Sequence, residues 1–463
     1  MTLAERLADY AGTVSFHRLP SEVVHEVKRR LLDSVGCALG AWSAAPCRIA
    51  RNMGTRVNVA DGATIWGTAS KTLPDLAAFA NGALVRYLDF NDTYLSKEPA
   101  HPSDNIAPVL AVGETVHASG RRVIEAIVLA YEIQCRLCDA AALRPRGWDH
   151  VTYGPFSSAL GAAKLLRLSQ MATTQAVNLA GVANVALRQT RVGEVSMWKA
   201  CAFSNAARNG VFAALLAGEG MTGPAPIFEG EKGFMKLVSG SLELPSLGGE
   251  SVRAQVPFKI MDTYIKHYPV EYHAQTAVEA ALPLREQLLR AEGREFVQAI
   301  QEIEVGSYDV AIEIIGRDPE KWRPQTRETA DHSFPYCVAM ALVYGVVTSQ
   351  SFNARRLNDP VVGALMRKLR VVEVDEFRGR YPHTMPTRLM VRMAGGRQYT
   401  VEIDVPLGHP RRPMPDVDIV HKVRRLSAGR LKESRLERFV EAVWKLETVK
   451  DVGTLMPLLK LQQ

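Results

Sequence analysis

Residues 88–106 gather side chains that can hold or transfer protons. The segment reads LDFNDTYLSKEPAHPSDNI, and its polar candidates are Asp89, Asp92, Thr93, His101, Ser103 and Asp104. Its prolines favour a loop, and loops carry binding and catalytic residues more often than other segments do. The same residue types also cap helices and form turns. Composition alone therefore leaves a catalytic role and a structural role both open.

A lysine near the start of an apolar helix is the second candidate. Residues 195–210 read VSMWKACAFSNAARNG, with Lys199 close to the predicted helix start and Arg208 further along the same helix. The N-terminus of a helix favours an anionic ligand. A lone lysine can also extend its ammonium group to solvent, so the residue type does not decide between the two roles.

Two further segments place histidine beside polar side chains. Residues 264–276 read YIKHYPVEYHAQT and hold Lys266, Tyr272 and His273 at a predicted domain boundary, where ligand sites are common. A cationic surface turn explains these residues equally well. In residues 318–333, His332 directly precedes an apolar helix. From the residues alone, the favoured interpretation of His332 is a hydrogen-bonded histidine at a helix start.

Several kinds of chemistry lack their residues in this sequence. It contains no phosphate-binding glycine loop before a helix, no nucleophile elbow and no histidine pair at metal-ligand spacing on one helix. Of its six cysteines only Cys135 and Cys138 are close together, on one apolar helix face. This usage is typical of a reducing compartment. We therefore expect a cytoplasmic protein without a disulfide framework, a zinc site or an iron–sulfur cluster.

The charge pattern argues against nucleic acid and membrane partners. The formal net charge is +7, but the basic residues form no long run. Their densest group is expected to be a solvated face rather than a phosphate-binding patch: Lys422, Arg424, Arg425, Arg430 and Lys432. The sequence also lacks the apolar stretch of a membrane span and the features of a targeting peptide at its start.

The elements that must position these candidates are mostly helices. Apolar residues at three- and four-residue spacing predict helices from Ser21 and over residues 74–88, the second with Thr72 as its cap. Alanine- and leucine-rich segments then predict a bundle with buried members. These segments are residues 106–115, 123–143, 156–168, 174–185 and 200–217.

After about residue 265 the pattern changes to strands mixed with helices. Alternating apolar residues flank Gly395-Gly396 and predict a hairpin, and the chain is helical again from Val417. We therefore expect a mainly α protein with an α+β part. Residues 1–265 and 405–463 would form a large all-helical domain, and residues 266–404 a smaller inserted α/β lid domain.

Together these motifs resemble the MmgE/PrpD family, which includes 2-methylcitrate dehydratase and cis-aconitate decarboxylase. The resemblance rests on LDFNDT at 88–93, HPSDN at 101–105, MWK at 197–199, EYHAQTAVEAA at 271–281, ADHS at 330–333 and GHPRR at 408–412. It implies a helical domain with an inserted lid, usually in a homodimer, and a site between the domains that needs neither metal nor organic cofactor.

The resemblance also implies residue roles. It points to Asp89, Thr93, His101, Lys199 and His273 as catalytic residues, and to Lys266 as a substrate-binding residue. Further predicted substrate-binding residues, taken from the same segments, are Asp92, Ser103, Tyr272, Arg208 and His332.

Dehydration of a citrate-like polycarboxylate fits these residue types. The reaction removes a carbon-bound proton beside a carboxylate, so negative charge grows on an anion and cations must stabilise it. We expect Lys199, Lys266 and nearby arginines to hold the carboxylates while His101 and His273 exchange protons with the substrate. Asp89 would orient His101 or act as a base. The leading substrate is 2-methylcitrate.

Two alternatives stay open at this point. A member of the same family could instead decarboxylate cis-aconitate or epimerise a dicarboxylate in a similar cationic site, and fold does not separate these reactions. A helical scaffold that binds metabolites without turnover is the non-enzymatic alternative.

Overall fold

The computed structural model describes residues 1–182, 184–193, 195–250 and 256–462. Contacts within the chain divide it into two compact units. The first consists of Met1–Ile265 and Pro415–Gln463, and the second of Lys266–Met414. Among the described helices, none combines the length and the apolar composition needed to cross a bilayer.

In its described residues, the first unit begins with nine α-helices and one two-stranded antiparallel ribbon. The helices are α1 (Leu3–Thr13), α2 (Ser21–Gly40), α3 (Ala45–Gly54), α4 (Pro74–Tyr87), α5 (Ile106–Thr115), α6 (Gly120–Ala140), α7 (Gly154–Leu165), α8 (Gln170–Val182) and α9 (Trp198–Gly218). The ribbon consists of β1 (Ala63–Thr64) and β2 (Lys71–Thr72). The predicted helical bundle is therefore confirmed, although the ribbon shows that the unit is not the all-helical domain that was expected.

Small residues let these helices approach one another closely. A Cβ atom on Gly82 of α4 would lie 2.8 Å from the Ser204 hydroxyl of α9. On the other side of α9, a Cβ atom on Gly210 would lie 2.5 Å from the carbonyl oxygen of Pro155 in α7. Larger side chains at these glycines would separate the helices. The glycines therefore hold α9 tightly between α4 and α7, which fixes the helix that carries Lys199.

Two details of this unit differ from the sequence prediction. Thr72 lies in β2 and does not cap α4, because Leu73 occupies the N-cap and Pro74 begins the helix with a favourable fixed φ. The helix α1 was not predicted, although Thr2 and Glu5 form a capping box at its start. That signal is local and was available in the sequence.

The second unit contains a four-stranded mixed sheet. Its strands are β3 (Ile300–Ser307), β4 (Leu369–Glu373), β5 (Thr387–Met393) and β6 (Gln398–Ile403), in the order β4-β3-β5-β6. The strands β3 and β4 are parallel, and the other pairs are antiparallel. The predicted hairpin joins β5 to β6, with Gly396 at a φ of 82°.

Eight helices accompany this sheet. They are α10 (Gln275–Glu292), α11 (Phe296–Ala299), α12 (Asp309–Ile315), α13 (Pro319–Trp322), α14 (Arg327–Ala330), α15 (Phe334–Tyr344), α16 (Ala354–Leu357) and α17 (Pro360–Met366). The helix α10 packs on β5 and β6, whose alternating burial follows from their pleat. The α+β character predicted for this part of the chain is confirmed.

The C-terminal segment returns to the first unit with α18 (Asp416–Ser427) and α19 (Glu433–Trp444). Lys422 of α18 is buried, so the predicted solvated face is wrong for this residue. Its Nζ lies 2.6 Å from Asp33 Oδ1 and donates to the carbonyl oxygen of Phe90 at 2.7 Å. The tail therefore holds the chain directly after α4, where the candidate site begins.

Candidate active site in the helical unit

The loop after α4 begins with an unusual backbone conformation at Asp89. Its φ is 50°, and its amide donates to the carbonyl oxygen of Arg86 at 3.1 Å. Aspartate adopts this left-handed conformation more readily than most side chains do. The turn folds the Asp89 side chain back toward the last turn of α4.

The Asp89 carboxylate lies between two cations. Arg86 Nη1 donates to Oδ1 at 2.6 Å, and Lys199 Nζ donates to Oδ2 at 3.4 Å. All three residues are buried. Lys199 therefore does not extend to solvent, which was the alternative to a role in the site. The packing of α4 against α9 brings together two residues that are more than a hundred positions apart.

His101 completes this group from the far end of the same loop. Its Nδ1 lies 2.7 Å from the carbonyl oxygen of Asp92, and its Nε2 lies 2.9 Å from Arg86 Nη2. A carbonyl oxygen only accepts and a guanidinium only donates. Both contacts are therefore satisfied by a neutral His101 with its proton on Nδ1. We call Arg86, Asp89, His101 and Lys199 the Asp89 cluster.

Internal hydrogen bonds hold the loop that carries His101. The Asp92 carboxylate is fully buried and accepts from the Ser103 amide at 2.9 Å and from the Tyr131 hydroxyl at 2.8 Å. Burial raises the pKa of Asp92, and the charge of Arg30 opposes that rise. Thr93 exchanges two backbone hydrogen bonds with Tyr264. The side chain of Asp92 thus bonds to protein groups, and the Ser103 hydroxyl accepts from Asn91 Nδ2 at 2.9 Å.

A second histidine that the sequence interpretation missed lies beside the cluster. The rings of His150 and His101 are 5.8 Å apart between centroids. His150 Nδ1 lies 2.8 Å from Asp149 Oδ1, and Arg191 Nε donates to Asp149 Oδ2 at 2.9 Å. Burial lowers the pKa of His150 to about 4, against the pull of Asp149. His150 is therefore neutral at pH 7.

The low pKa of His150 predicts a pH-dependent stability. Its pKa of about 4 in the folded chain lies below its ordinary value of about 6.5. The unfolded chain therefore takes up a proton first, and this residue's contribution to stability, up to about 3 kcal/mol, is lost as the pH falls from about 6.5 to 4. We expect His150→Gln to flatten that dependence, measured by urea unfolding at several pH values.

The burial of Asp104 gives the stability the opposite pH dependence, and it does so in both wild type and His150→Gln. Its pKa is raised to about 7, so its contribution is greatest at low pH and is lost as the pH rises through about 7. The difference between wild type and His150→Gln isolates the histidine. If the free energy of unfolding changed equally with pH in wild type and His150→Gln, the assignment of this pH dependence to His150 would be wrong.

Arg208 is not part of the Asp89 cluster. It lies nine residues after Lys199 on α9, which corresponds to roughly 13 Å along a helix. Its Nε donates to Asp75 Oδ2 at 3.2 Å, and its side chain is partly exposed. A role for Arg208 in substrate binding stays a prediction.

The remaining predicted residues lie in the second unit, where Lys266, Tyr272 and His273 precede α10 and His332 precedes α15. His273 is buried, and its Nδ1 is within hydrogen-bonding distance of the Tyr308 hydroxyl. The ring of Tyr381 lies 5.4 Å from that of His273 between centroids. Burial raises the pKa of Tyr308 well above its usual range, so the phenol stays protonated. Tyr308 was not predicted from the sequence.

Hydrogen bonds of Glu271 connect the turn that holds His273 to the segment that holds His332. The Glu271 carboxylate accepts from the His273 amide at 2.7 Å, and the Glu271 amide donates to the Asp331 carbonyl oxygen at 2.8 Å. The structure thus brings two of the four motif segments together within this unit. Lys266 and Tyr272 are buried in the same region of the chain.

The cysteines are poor candidates for metal ligands. Cys135 and Cys138 are both fully buried in α6, and burial raises the pKa of each thiol well above its usual value. Metal ligation needs the thiolate. The six cysteines are spread over the five helices α2, α3, α6, α9 and α15. The arrangement of the Asp89 cluster suits proton transfer and the binding of an anion.

Comparisons with known proteins agree along almost the entire chain. Residues 5–246 match the family described as the MmgE/PrpD N-terminal domain, and residues 268–448 match the MmgE/PrpD C-terminal domain. The two matches include the Asp89 cluster and the segments around His273 and His332. They also include α18, which carries Lys422.

Three relatives indicate the range of activities. The chain is 30% identical over 450 residues to a 2-methylcitrate dehydratase of Cupriavidus necator, covering 92% of this chain and 90% of the relative. It is 30% identical over 431 residues to the 2-methylcitrate dehydratase of Escherichia coli K12, covering 88% and 86%. It is 26% identical over 479 residues to a cis-aconitate decarboxylase of Mus musculus, covering 99% and 93%.

Proposed function

The chain belongs to the MmgE/PrpD family and is a dehydratase-like enzyme, and we propose that it removes water from 2-methylcitrate or a closely related tricarboxylate. The observation that carries this proposal is the Asp89 cluster. Two buried cations and a histidine meet there around one carboxylate. The relatives named as 2-methylcitrate dehydratases support the choice of substrate.

In the proposed reaction, His101 accepts the carbon-bound proton. Without substrate, its Nε2 accepts from Arg86 Nη2 at 2.9 Å. A substrate carboxylate that takes this donor frees Nε2 to act as a base beside the reacting carbon. The hydrogen bond from Nδ1 to the Asp92 carbonyl oxygen then stabilises the imidazolium that forms.

The two cations stabilise the negative charge that develops as the carbon–hydrogen bond breaks. Lys199 and Arg86 are already held by Asp89, so they need little reorganisation when the substrate binds. The hydroxyl group leaves as water after it takes up a proton. His273 is a candidate donor of that proton. Roles for His273, Thr93, Lys266, Tyr272 and His332 in catalysis or binding stay predictions.

Proton NMR with three substrates tests the proposal. Dehydration of 2-methylcitrate removes the methine proton, so we expect the methyl doublet to become a singlet as the enzyme turns over. Citrate and cis-aconitate serve as comparisons. Carbon dioxide release from cis-aconitate without dehydration would favour the decarboxylase alternative. Absence of turnover with all three would favour a metabolite-binding scaffold.

We also propose that catalysis needs neither a metal ion nor an organic cofactor. The cluster itself supplies a base and cations, and burial keeps the thiols of Cys135 and Cys138 protonated. Activity should therefore survive dialysis against EDTA and purification free of bound chromophores. A loss of activity that added divalent metal restores would contradict this part of the proposal. Location in the cytoplasm and the absence of nucleic acid partners stay predictions.

A homodimer is the proposed assembly. Ile49 and Met53 of α3 and Trp198 and Phe212 of α9 are large apolar side chains, each about half exposed, on two helices that pack together. Large exposed apolar groups on neighbouring elements are typical of an interface. Light scattering should give the mass of two chains, and Phe212→Asp should give one. A monomeric wild type would contradict the assembly.

A further inference from the structure

Arg191 has a buried nitrogen atom that nothing in the described part of the chain satisfies. Its side chain is only 10% exposed, and its Nε donates to Asp149 Oδ2. Asp149 uses its other oxygen, Oδ1, for His150. The Nη2 atom of Arg191 is also buried, and it has no acceptor among residues 1–182, 184–193, 195–250 and 256–462. A buried charged donor without a partner is costly and requires an explanation.

The unsatisfied nitrogen belongs to a small group of such atoms. His150 Nε2 and Asp104 Oδ2 are also buried and without hydrogen-bond partners among the described residues. Burial raises the pKa of Asp104 and lowers that of His150, and the charge of Arg191 opposes the first shift and adds to the second, so the three side chains lie within electrostatic range of one another. The ring of His150 is in turn adjacent to that of His101. Arg191 is therefore linked to the Asp89 cluster through Asp149 and His150.

The chemistry of these atoms indicates what is missing. Arg191 Nη2 is a charged donor, and its preferred partner is a carboxylate oxygen. His150 carries its proton on Nδ1, facing Asp149, so Nε2 is an acceptor that a hydroxyl group would satisfy. A molecule that carries both carboxylate and hydroxyl groups supplies both partners.

We propose that Arg191 binds one carboxylate of the substrate through Nη2 and that Asp149 positions the guanidinium for this contact. The inference rests on the proposed function, because it assigns a subsite for the same polycarboxylate. Together with Arg86 and Lys199, it gives the site three cations from three separate segments of the first unit. The site would therefore distinguish tricarboxylates from dicarboxylates.

Binding of unreactive analogues tests this contact. Tricarballylate has three carboxylates and no hydroxyl group to expel, and glutarate and methylsuccinate each lack a different one of its carboxylates. We expect Arg191→Gln to weaken tricarballylate binding, measured by titration calorimetry, by about 10- to 100-fold. One of the two dicarboxylates lacks the carboxylate that Arg191 is proposed to bind. Arg191→Gln should weaken the binding of that analogue by less than about threefold.

Arg188 provides the matched control. It lies in the same short turn as Arg191, and its pKa also responds to the charge of Asp149. Arg188→Gln removes the same charge nearby but leaves the unsatisfied Arg191 Nη2 in place. If Arg191→Gln and Arg188→Gln weaken all three ligands equally, the effect is one of charge alone and the proposal is overturned. Wild type that binds no tricarballylate would overturn it too.

A second variant covers the case in which Arg191→Gln does not fold. Arg191→Lys keeps a cation beside Asp149 but lacks the second guanidinium nitrogen, so it should lose the same discrimination among the three ligands. Retained discrimination would overturn the proposal. Turnover of 2-methylcitrate by wild type is measured separately. Selective loss of tricarballylate binding with no wild-type turnover would reject only the proposed reaction, whereas turnover with an unaffected Arg191→Lys would reject only the subsite.

Discussion

Replacing His101 with glutamine is expected to lower kcat/KM on 2-methylcitrate by about 10²- to 10⁴-fold, the usual contribution of a positioned acid or base. Glutamine retains a hydrogen-bonding group near the Asp92 carbonyl oxygen and Arg86 but takes up no proton from carbon. The loss should therefore fall mainly on kcat, and KM should change much less. Steady-state kinetics by NMR or a coupled assay measures both.

His117→Gln is the control for that variant. His117 contacts Asp451 at 2.9 Å on the surface of the helical unit, and its side chain is 73% exposed. The control should retain wild-type kinetics and thermal stability. Full turnover by folded His101→Gln would remove His101 from the chemistry, and the proposed mechanism would fail with it.

Arg86 is expected to give the second large effect. Its guanidinium joins Asp89 and His101 through two different nitrogens, at 2.6 and 2.9 Å. Arg86→Gln should lower kcat/KM by about 10²- to 10³-fold, because a buried cation beside the developing charge is lost. Arg86→Lys keeps the charge, but one ammonium does not reproduce the planar fork. We expect the lysine variant to remain strongly impaired.

The stability cost of removing a buried arginine must be separated from the catalytic cost. Arg136 provides the comparison, since it is buried in the same unit and donates to Glu132 at 2.7 Å. Arg136→Gln should destabilise the fold by a few kcal/mol, as expected for a broken buried pair, and leave kcat largely unchanged. Wild-type kcat in Arg86→Lys would show that only the charge matters and would contradict the bridging role.

Helix periodicity and motif spacing predicted much of the architecture. The segment 106–115 is a helix with those bounds, and the hairpin around Gly395-Gly396 joins β5 to β6. These predictions succeed because side chains three or four positions apart share a helix face, and strand residues alternate between faces. The motif loop at 88–106 was also recognisable, because its residues lie close together in the sequence.

The partners of that loop were not recognisable in the same way. Arg86 reads as one charged residue at the end of an apolar helix, and Asp149, His150 and Arg191 belong to no motif that was singled out. Tyr308 was missed for the same reason. The role of each residue depends on a neighbour that the tertiary structure places beside it, as the role of Arg86 depends on His101.

Local sequence therefore determines the secondary structure of each segment. Packing between distant segments determines the interactions of each charged side chain. The burial of Lys199 against Asp89 and the hydrogen bond from Lys422 to the Phe90 carbonyl oxygen both need contacts between segments far apart in the chain. Periodicity reports only on residues within a turn or two of one another. The free energy of a buried charge depends on which opposite charge the tertiary structure places beside it.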